Sequence, residues 1–186
     1  MIDLQALLAP RSIALVGASE SSSWSQALVA NFASLGFQGR FHLVHPRHSQ
    51  LFGLPCHRSV SAIPDQVDCA YVMTGTEAAF EVVEDCGRKG VRSMVMLTAG
   101  FKEVGAEGAE RERAIVGRCR ELGITMLGPN CLGFVNYSER IPAYGLLLPG
   151  PLLAGGIAIA SQSGGLLLPF HRLAMSRGIG LAISVS

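Results

Sequence analysis

The stretch Ser12-Ile13-Ala14-Leu15-Val16-Gly17-Ala18-Ser19 decides the fold class. A continuous apolar run that stops at a glycine reads as a strand covered on both faces and closed by a tight loop. Working outward, the same unit recurs. Residues 23–35 place Trp24, Leu28, Phe32 and Leu35 at helical spacing before Gly36, and residues 40–44 form a second apolar strand that ends at His45-Pro46. A third strand over 69–73 precedes a helix over 77–89 with Phe80, Val83 and Cys86 inward; a fourth over 93–97 precedes a charged helix over 107–122. A fifth, over 124–127, is halted by Gly128-Pro129-Asn130. Apolar strands alternating with glycine-terminated helices predict an α/β fold, a doubly wound parallel sheet. Right-handed crossovers then gather the strand-end loops on the carboxyl edge, where open α/β sheets bind ligands.

The pattern pauses over a Pro/Gly-rich connection and restarts as a strand over 157–160, a helix over 164–177 and a strand over 181–185. A single βαβ unit rarely folds alone, so the expected organisation is a nucleotide-binding type domain at 1–136, a connection at 137–155 and the opening of a second domain at 156–186. The 186 residues suffice for that, and 49% hydrophobic against 16% charged residues, where about 25% charged is usual, excludes a disordered chain. A net charge of +1 with no basic block excludes a dedicated nucleic-acid surface and points to a small-molecule partner. Five cysteines without CxxC spacing, and no charged-then-apolar leader at the start of the chain, fit a reduced cytoplasm. Residues 141–170 lack Asp, Glu, Lys, Arg and His, but Pro142, Pro149, Pro151 and six glycines argue against a membrane span.

Three loops carry the chemistry. Gly17, followed by Ser19 and Ser22, has the position of a dinucleotide fingerprint without its glycines; a glycine turn with hydroxyls before a helix suits a phosphate, or simply makes a turn. The second strand ends in His45-Pro46-Arg47-His48, where an NAD site wants a carboxylate. Cations there suit a phosphorylated ribose, as in NADP or coenzyme A; a solvated loop is the alternative. A metal site on His42, His45 and His48 is disfavoured, because spacing of three along extended chain points successive side chains to opposite faces. Residues 161–165, Ser-Gln-Ser-Gly-Gly between a strand and a helix, have the layout of a hydrolase nucleophile elbow, yet no Asp or Glu follows Glu139 and only His171 is left as a base.

Four motifs in order carry a family resemblance: Leu8-Ala9-Pro10-Arg11-Ser12-Ile13 with Val16-Gly17-Ala18-Ser19; Leu97-Thr98-Ala99-Gly100-Phe101; Gly128-Pro129-Asn130-Cys131-Leu132-Gly133; and Ser161-Gln162-Ser163-Gly164-Gly165. Across essentially the whole chain they resemble the NDP-forming acyl-CoA synthetases, relatives of the succinyl-CoA synthetase alpha subunit. The resemblance implies a Rossmann-like CoA-binding domain followed by the first βαβ of a flavodoxin-like ligase domain, with CoA or acyl-CoA as cofactor. It implies that Gly17, Ala18 and Ser19 hold the diphosphate or adenosine end and that Arg47 or His48 meets the nucleotide phosphate. Thr74 and Gly75 would run along the CoA, Thr98, Ala99 and Gly100 would line the pantetheine, and Asn130 and Cys131 would lie near the thiol. Ser161, Gln162, Ser163 and Gly164 would cradle a phosphoryl group at a helix start.

Two departures follow. Ser23-Trp24-Ser25-Gln26 replaces an early helix glycine of many members, and the family's phosphorylated histidine lies in a part this sequence does not reach; His171 is on the wrong element. No catalytic residue is therefore assigned. A separate ligase or ATP-grasp subunit or domain is the implied partner, and a homo-oligomer is compatible. A protein acetyltransferase or CoA sensor on the same domain, and an NADP-dependent oxidoreductase, are the competing readings.

Overall fold

The computed structural model describes residues 4–186; residues 1–3, on which the expectation of no leader partly rests, lie outside the described residues. Two compact units divide them. One runs to Ser19 and again from Gly39 to Cys131; the other comprises Glu20–Gln38 and Leu132–Ser186.

The first unit is built on a seven-stranded sheet. Its strands are β1 (Ser12–Val16), β2 (Arg40–Val44), β3 (Gln50–Leu51), β4 (Leu54–His57), β5 (Cys69–Val72), β6 (Ser93–Met96) and β7 (Thr125–Leu127), in the order β3-β4-β2-β1-β5-β6-β7. All neighbours are parallel except the β3/β4 hairpin. Every residue of β1, β5 and β6 is buried, as the unalternating apolar runs require. In register, Ile13 sits between Phe41 and Cys69, and Ala70 against Met94. Helices α1 (Leu4–Leu8), α3 (Thr76–Lys89) and α4 (Ala106–Glu121) belong to this unit. Ala79, Val83 and Cys86 of α3 and Ile115 and Cys119 of α4 join the core around Val16, Val72, Met94 and Met96. Phe80, expected inward, is only half-buried, and Ala79 takes its place. The five parallel strands stand where the sequence put them, and β3 and β4 are additions. A two-residue strand has no periodicity to read, and Pro55 demotes β4 in sequence, although it lies near the strand's start, opposite Gln50 of β3 and ahead of the pairs that Cys56 and His57 make with β2.

The second unit contains α2 (Ser23–Ser34), β8 (Phe134–Asn136), β9 (Ala154–Ala160), α5 (Gly164–Ser176) and β10 (Leu181–Val185). Its sheet runs β8-β10-β9, with β9 parallel and β8 antiparallel to β10. The expected strand-helix-strand is present, and β8 is a further strand too short to show a period. Stretch 137–155 is not loose chain: Tyr137, Ile141, Tyr144 and Leu148 are buried. Asn31 ties α2 to it, because its Nδ2 donates to Tyr144 O (3.0 Å) and Leu146 O (2.9 Å) while its Oδ1 accepts from Leu148 N (3.0 Å). Helical spacing correctly picks Leu28 and Phe32 for the buried face, but Trp24 is 39% exposed and the polar Ser25 and Asn31 are fully buried. Hydrogen bonding rather than hydrophobicity decides that face.

Candidate functional site

The carboxyl ends of the first unit's parallel strands supply the loops. Taken across the sheet they follow the order 45–48 after β2, 17–19 after β1, 74–75 after β5, 98–100 after β6 and 128–131 after β7. Main-chain bonds carry the ladder into each: Gly17 N donates to Val44 O (3.0 Å), Met73 N to Val16 O (2.9 Å), and Leu97 N to Val72 O (2.9 Å). Adjacent loops are further joined by side chains. Thr98 Oγ1 donates to Thr74 O and Thr76 Oγ1 to Ala99 O, each at 2.9 Å. Asn130 N donates to Thr98 O (3.0 Å) and Cys131 N to Met96 O (3.2 Å). The predicted residues at 74–75, 98–100 and 130–131 thus form one continuous wall rather than separate loops.

Glycine is obligatory at two points of it. Gly17 has φ +85°, and a Cβ there would lie 2.8 Å from Thr74 Cγ2 and 3.1 Å from Thr74 N. Gly128 has φ +112°, and its Cβ would lie 2.6 Å from Met96 O. These backbones pack against their neighbours with no room for a side chain.

At the β2 end, Arg47 and His48 are exposed, and the His45 and His48 rings lie 4.5 Å apart. His45 Nδ1 accepts from Arg47 N (3.2 Å). Burial first, then the nearby His48 and Arg47, hold the His45 imidazole below its usual pKa. The permanent cation at this corner is Arg47. His42 instead stands beside His57, with ring centroids 5.7 Å apart. Among the described residues no three His, Cys, Asp or Glu side chains gather into a metal set.

Ala18 and Cys131 are buried, Ser19 and Gly100 half-buried, and Ala99 and Asn130 exposed. Asn130 adopts φ +53°, a conformation asparagine tolerates. Thr74 turns its hydroxyl inward, where Oγ1 is buried with no partner. Gly75 is the N-cap of α3 and offers no side-chain cap, so first-turn N–H groups open at this edge, the arrangement that suits an anion. Two supporting residues escaped the sequence reading: Thr76, through its bond to Ala99, and Glu103, whose Oε1 accepts from Gly100 N (2.6 Å) and Phe101 N (3.2 Å). The signal was a carboxylate three residues beyond a loop glycine, the spacing at which a side chain reaches back to loop amides.

In the second unit, residues 161–164 form the turn into α5. Ser161 Oγ accepts from Ser163 N and donates to Ser163 O, both at 3.1 Å, and the N-cap Ser163 makes no side-chain cap bond. Gln162 and Ser163 are exposed, leaving the helix start open. His171 cannot serve as base to these serines. It is 2% exposed, its Nε2 bonds Pro149 O (2.8 Å), and its Nδ1 bonds Tyr137 OH (3.0 Å), which also bonds Ser184 Oγ (3.1 Å). Because Nε2 must donate to the carbonyl, Nδ1 accepts from the tyrosine. Burial holds the ring below its usual pKa.

Known proteins align with this description. Acetate–CoA ligase [ADP-forming] I of Archaeoglobus fulgidus is 34% identical over 185 residues, 98% of this chain and 26% of that protein. The alpha subunit of acetate–CoA ligase [ADP-forming] I of Pyrococcus furiosus is 32% identical over 191 residues, all of this chain and 41% of that subunit. Among solved structures, the dinucleotide forming acetyl-coenzyme A synthetase 1 of Ca. Korarchaeum cryptofilum, in complex with phosphate and ADP, superposes with a TM-score of 0.90 at 36% identity, covering 100% of this chain and 39% of that one. The chain therefore spans between a quarter and two-fifths of these relatives. Residues 11–137 match the family model described as CoA binding domain, and with its Rossmann-like parallel sheet and glycine-built carboxyl edge the chain belongs to the CoA-binding domain family.

Proposed function

We propose that this chain is the CoA-holding module of an NDP-forming acid–CoA ligase, with CoA lying along the carboxyl edge of the first unit. The observation that carries the reading is the order of the loops across the sheet. Arg47 and His48 stand at one end, followed by 17–19, 74–75, 98–100 and 130–131. CoA carries its groups in the same sequence, from ribose phosphate through diphosphate and pantetheine to thiol. Arg47 with His48 takes the ribose phosphate, Gly17, Ala18 and Ser19 the diphosphate, Thr74, Gly75, Thr98, Ala99 and Gly100 the pantetheine, and Asn130 with Cys131 the thiol end.

Ser161, Gln162, Ser163 and Gly164 at the start of α5 receive a phosphoryl group in a ligase domain that begins near residue 156. Two features support a continuation of that domain in a longer ligase, with the ATP-grasp part in the same or another chain. β9 is an edge strand exposed at six of its seven residues, and α5 shows Leu166, Phe170 and Leu173 to solvent. An open strand edge and a bare apolar helix face are what a following strand and helix would cover. Among the described residues no helix is long and apolar enough to cross a membrane, and the five cysteines are all free, which supports a cytoplasmic setting.

Calorimetric titration with CoA, 3′-dephospho-CoA and NADP tests the proposal. CoA binds, and loss of the ribose phosphate weakens binding about tenfold or more, the value of a charge-assisted hydrogen bond. Arg47→Ala abolishes that difference. NADP binding without CoA binding would refute the reading in favour of an oxidoreductase.

A further inference from the structure

The loop after β6 commits its main-chain donors to carboxylates of its own chain. Glu103 Oε1 accepts from both Gly100 N (2.6 Å) and Phe101 N (3.2 Å), and Glu112 Oε2 of α4 accepts from Lys102 N (3.3 Å). Lys102 adds an ion pair to Glu112 at 3.5 Å. Three consecutive N–H groups therefore point at negative charge. Successive amides that converge on one oxygen are how a turn binds an anion, and bonds of this kind are short and roughly twice as strong as neutral ones.

The frame around these amides is rigid. Gly100 has φ +98°, and a Cβ on it would lie 2.5 Å from Thr76 Oγ1, which itself donates to Ala99 O (2.9 Å). Phe101 is fully buried in the core, and α4 brings Gly108 so close that a Cβ there would meet Phe101 O at 1.8 Å. Val104 N and Gly105 N close the following turn on Phe101 O (2.9 Å) and Lys102 O (3.2 Å). Removing the Glu103 carboxylate would leave two amides aimed at the place it vacates, in a loop still held from both sides.

We propose that the amides of Gly100 and Phe101 form an anion seat that Glu103 fills from within the chain, and that Glu103 is thereby a positioning and selectivity residue for the ligand on the carboxyl edge. The second half rests on the CoA reading above. With the seat filled, this stretch offers a phosphate no amide pair and sets a carboxylate against it. The uncharged pantetheine then lies along 98–100 while the phosphates keep toward Arg47. Opened, the seat takes a small carboxylate, the chemistry Glu103 itself supplies.

Glu103→Ala opens the seat, and Glu103→Gln keeps it filled, because the new amide oxygen accepts in the same place. Sodium formate is titrated at constant ionic strength into the 186-residue chain and both variants, followed by amide chemical shifts. Saturable shifts at Gly100 and Phe101, with a Kd of about 10–100 mM, are expected in Glu103→Ala and in neither of the others. Calorimetry then reads CoA. Glu103→Ala binds it about tenfold or more weaker, formate at roughly 100 mM recovers most of that loss, and Glu103→Gln stays within about threefold of the parent. A merely structural role for Glu103 would give the loss without the rescue. Formate shifts as large in the parent as in Glu103→Ala, no saturation in Glu103→Ala up to about 500 mM, or a CoA affinity that formate does not restore overturns the proposal. Failure of the parent to bind CoA would refute the carboxyl-edge reading and the positioning role with it, while the formate titration, made without CoA, still decides the seat.

Discussion

Gly17→Ala is the sharpest test of the carboxyl edge. The residue holds φ +85°, and the added methyl would approach Thr74 Cγ2 to 2.8 Å, Thr74 N to 3.1 Å and Met73 C to 3.2 Å. Holding an alanine in the left-handed region costs about 1–2 kcal/mol. The contact adds an overpacking cost of about 1–3 kcal/mol, since Met73 N is fixed on Val16 O at 2.9 Å and the backbone on that side has little room to retreat. The sum, roughly 2–5 kcal/mol, lowers the melting temperature by at least about 4 °C in a chain of this size.

Thr74→Ser removes the offending Cγ2 and leaves the φ strain, so the two substitutions form a double-mutant cycle. Chemical denaturation of the four proteins is expected to give a coupling of about 1 kcal/mol or more in favour of the double variant over additivity. CoA affinity is expected to fall in Gly17→Ala, because relief of the clash moves the loop that we propose to line the diphosphate. A Gly17→Ala protein within about 0.5 kcal/mol of the parent, or additivity within that margin, would refute the close approach of the 17–19 and 74–75 loops.

Other outcomes follow from single atoms. Thr74→Val keeps the shape but deletes a buried hydroxyl with no partner, and is expected to stabilise the protein by up to about 1 kcal/mol in urea unfolding. Asn31→Leu strands Leu148 N and the carbonyls of Tyr144 and Leu146, and is expected to cost about 2–5 kcal/mol by the same measurement. His171 is neutral in the folded protein and burial lowers its pKa, so the unfolded chain takes up the proton first as pH falls below its ordinary 6.5. The stability His171 confers is present above pH 6.5 and lost as pH drops through the lower folded value; His171→Gln should flatten that part of a melting-temperature profile between pH 7.5 and 5.

The parallel strands and carboxyl-edge loops were legible because each couples two local signals, a buried apolar run and the glycine that ends it. Where structure depends on partners distant in sequence, those signals fail. Asn31 looks like a polar interruption of an apolar helix face, yet it is fully buried because the chain more than a hundred residues later presents it with two carbonyls and an N–H. Strands β3, β4 and β8 are two to four residues long and exist through their neighbours' hydrogen bonds.

Strand order also bears on which way CoA lies. Along the chain the loops come as 17, 47, 74, 98 and 130; across the sheet, β2 precedes β1, and the first two exchange places. That exchange puts Arg47 at one end of the row and Asn130 at the other, four strand spacings or about 19 Å apart. A ligand gripped by its ribose phosphate at Arg47 must then carry its thiol toward Asn130, whereas an anchor at Gly17 alone would permit either direction. Asn130→Cys and Arg47→Cys, each exposed to CoA disulfide, separate the cases. In each, the cysteine thiolate attacks the CoA disulfide, releases one CoA thiol and keeps the other as a mixed disulfide. Binding raises the local concentration of the disulfide near residue 130 to about the millimolar range, so mass spectrometry should show CoA on Asn130→Cys well ahead of Arg47→Cys and of the parent protein. Faster modification of Arg47→Cys would reverse the ligand and remove Arg47 from the phosphate.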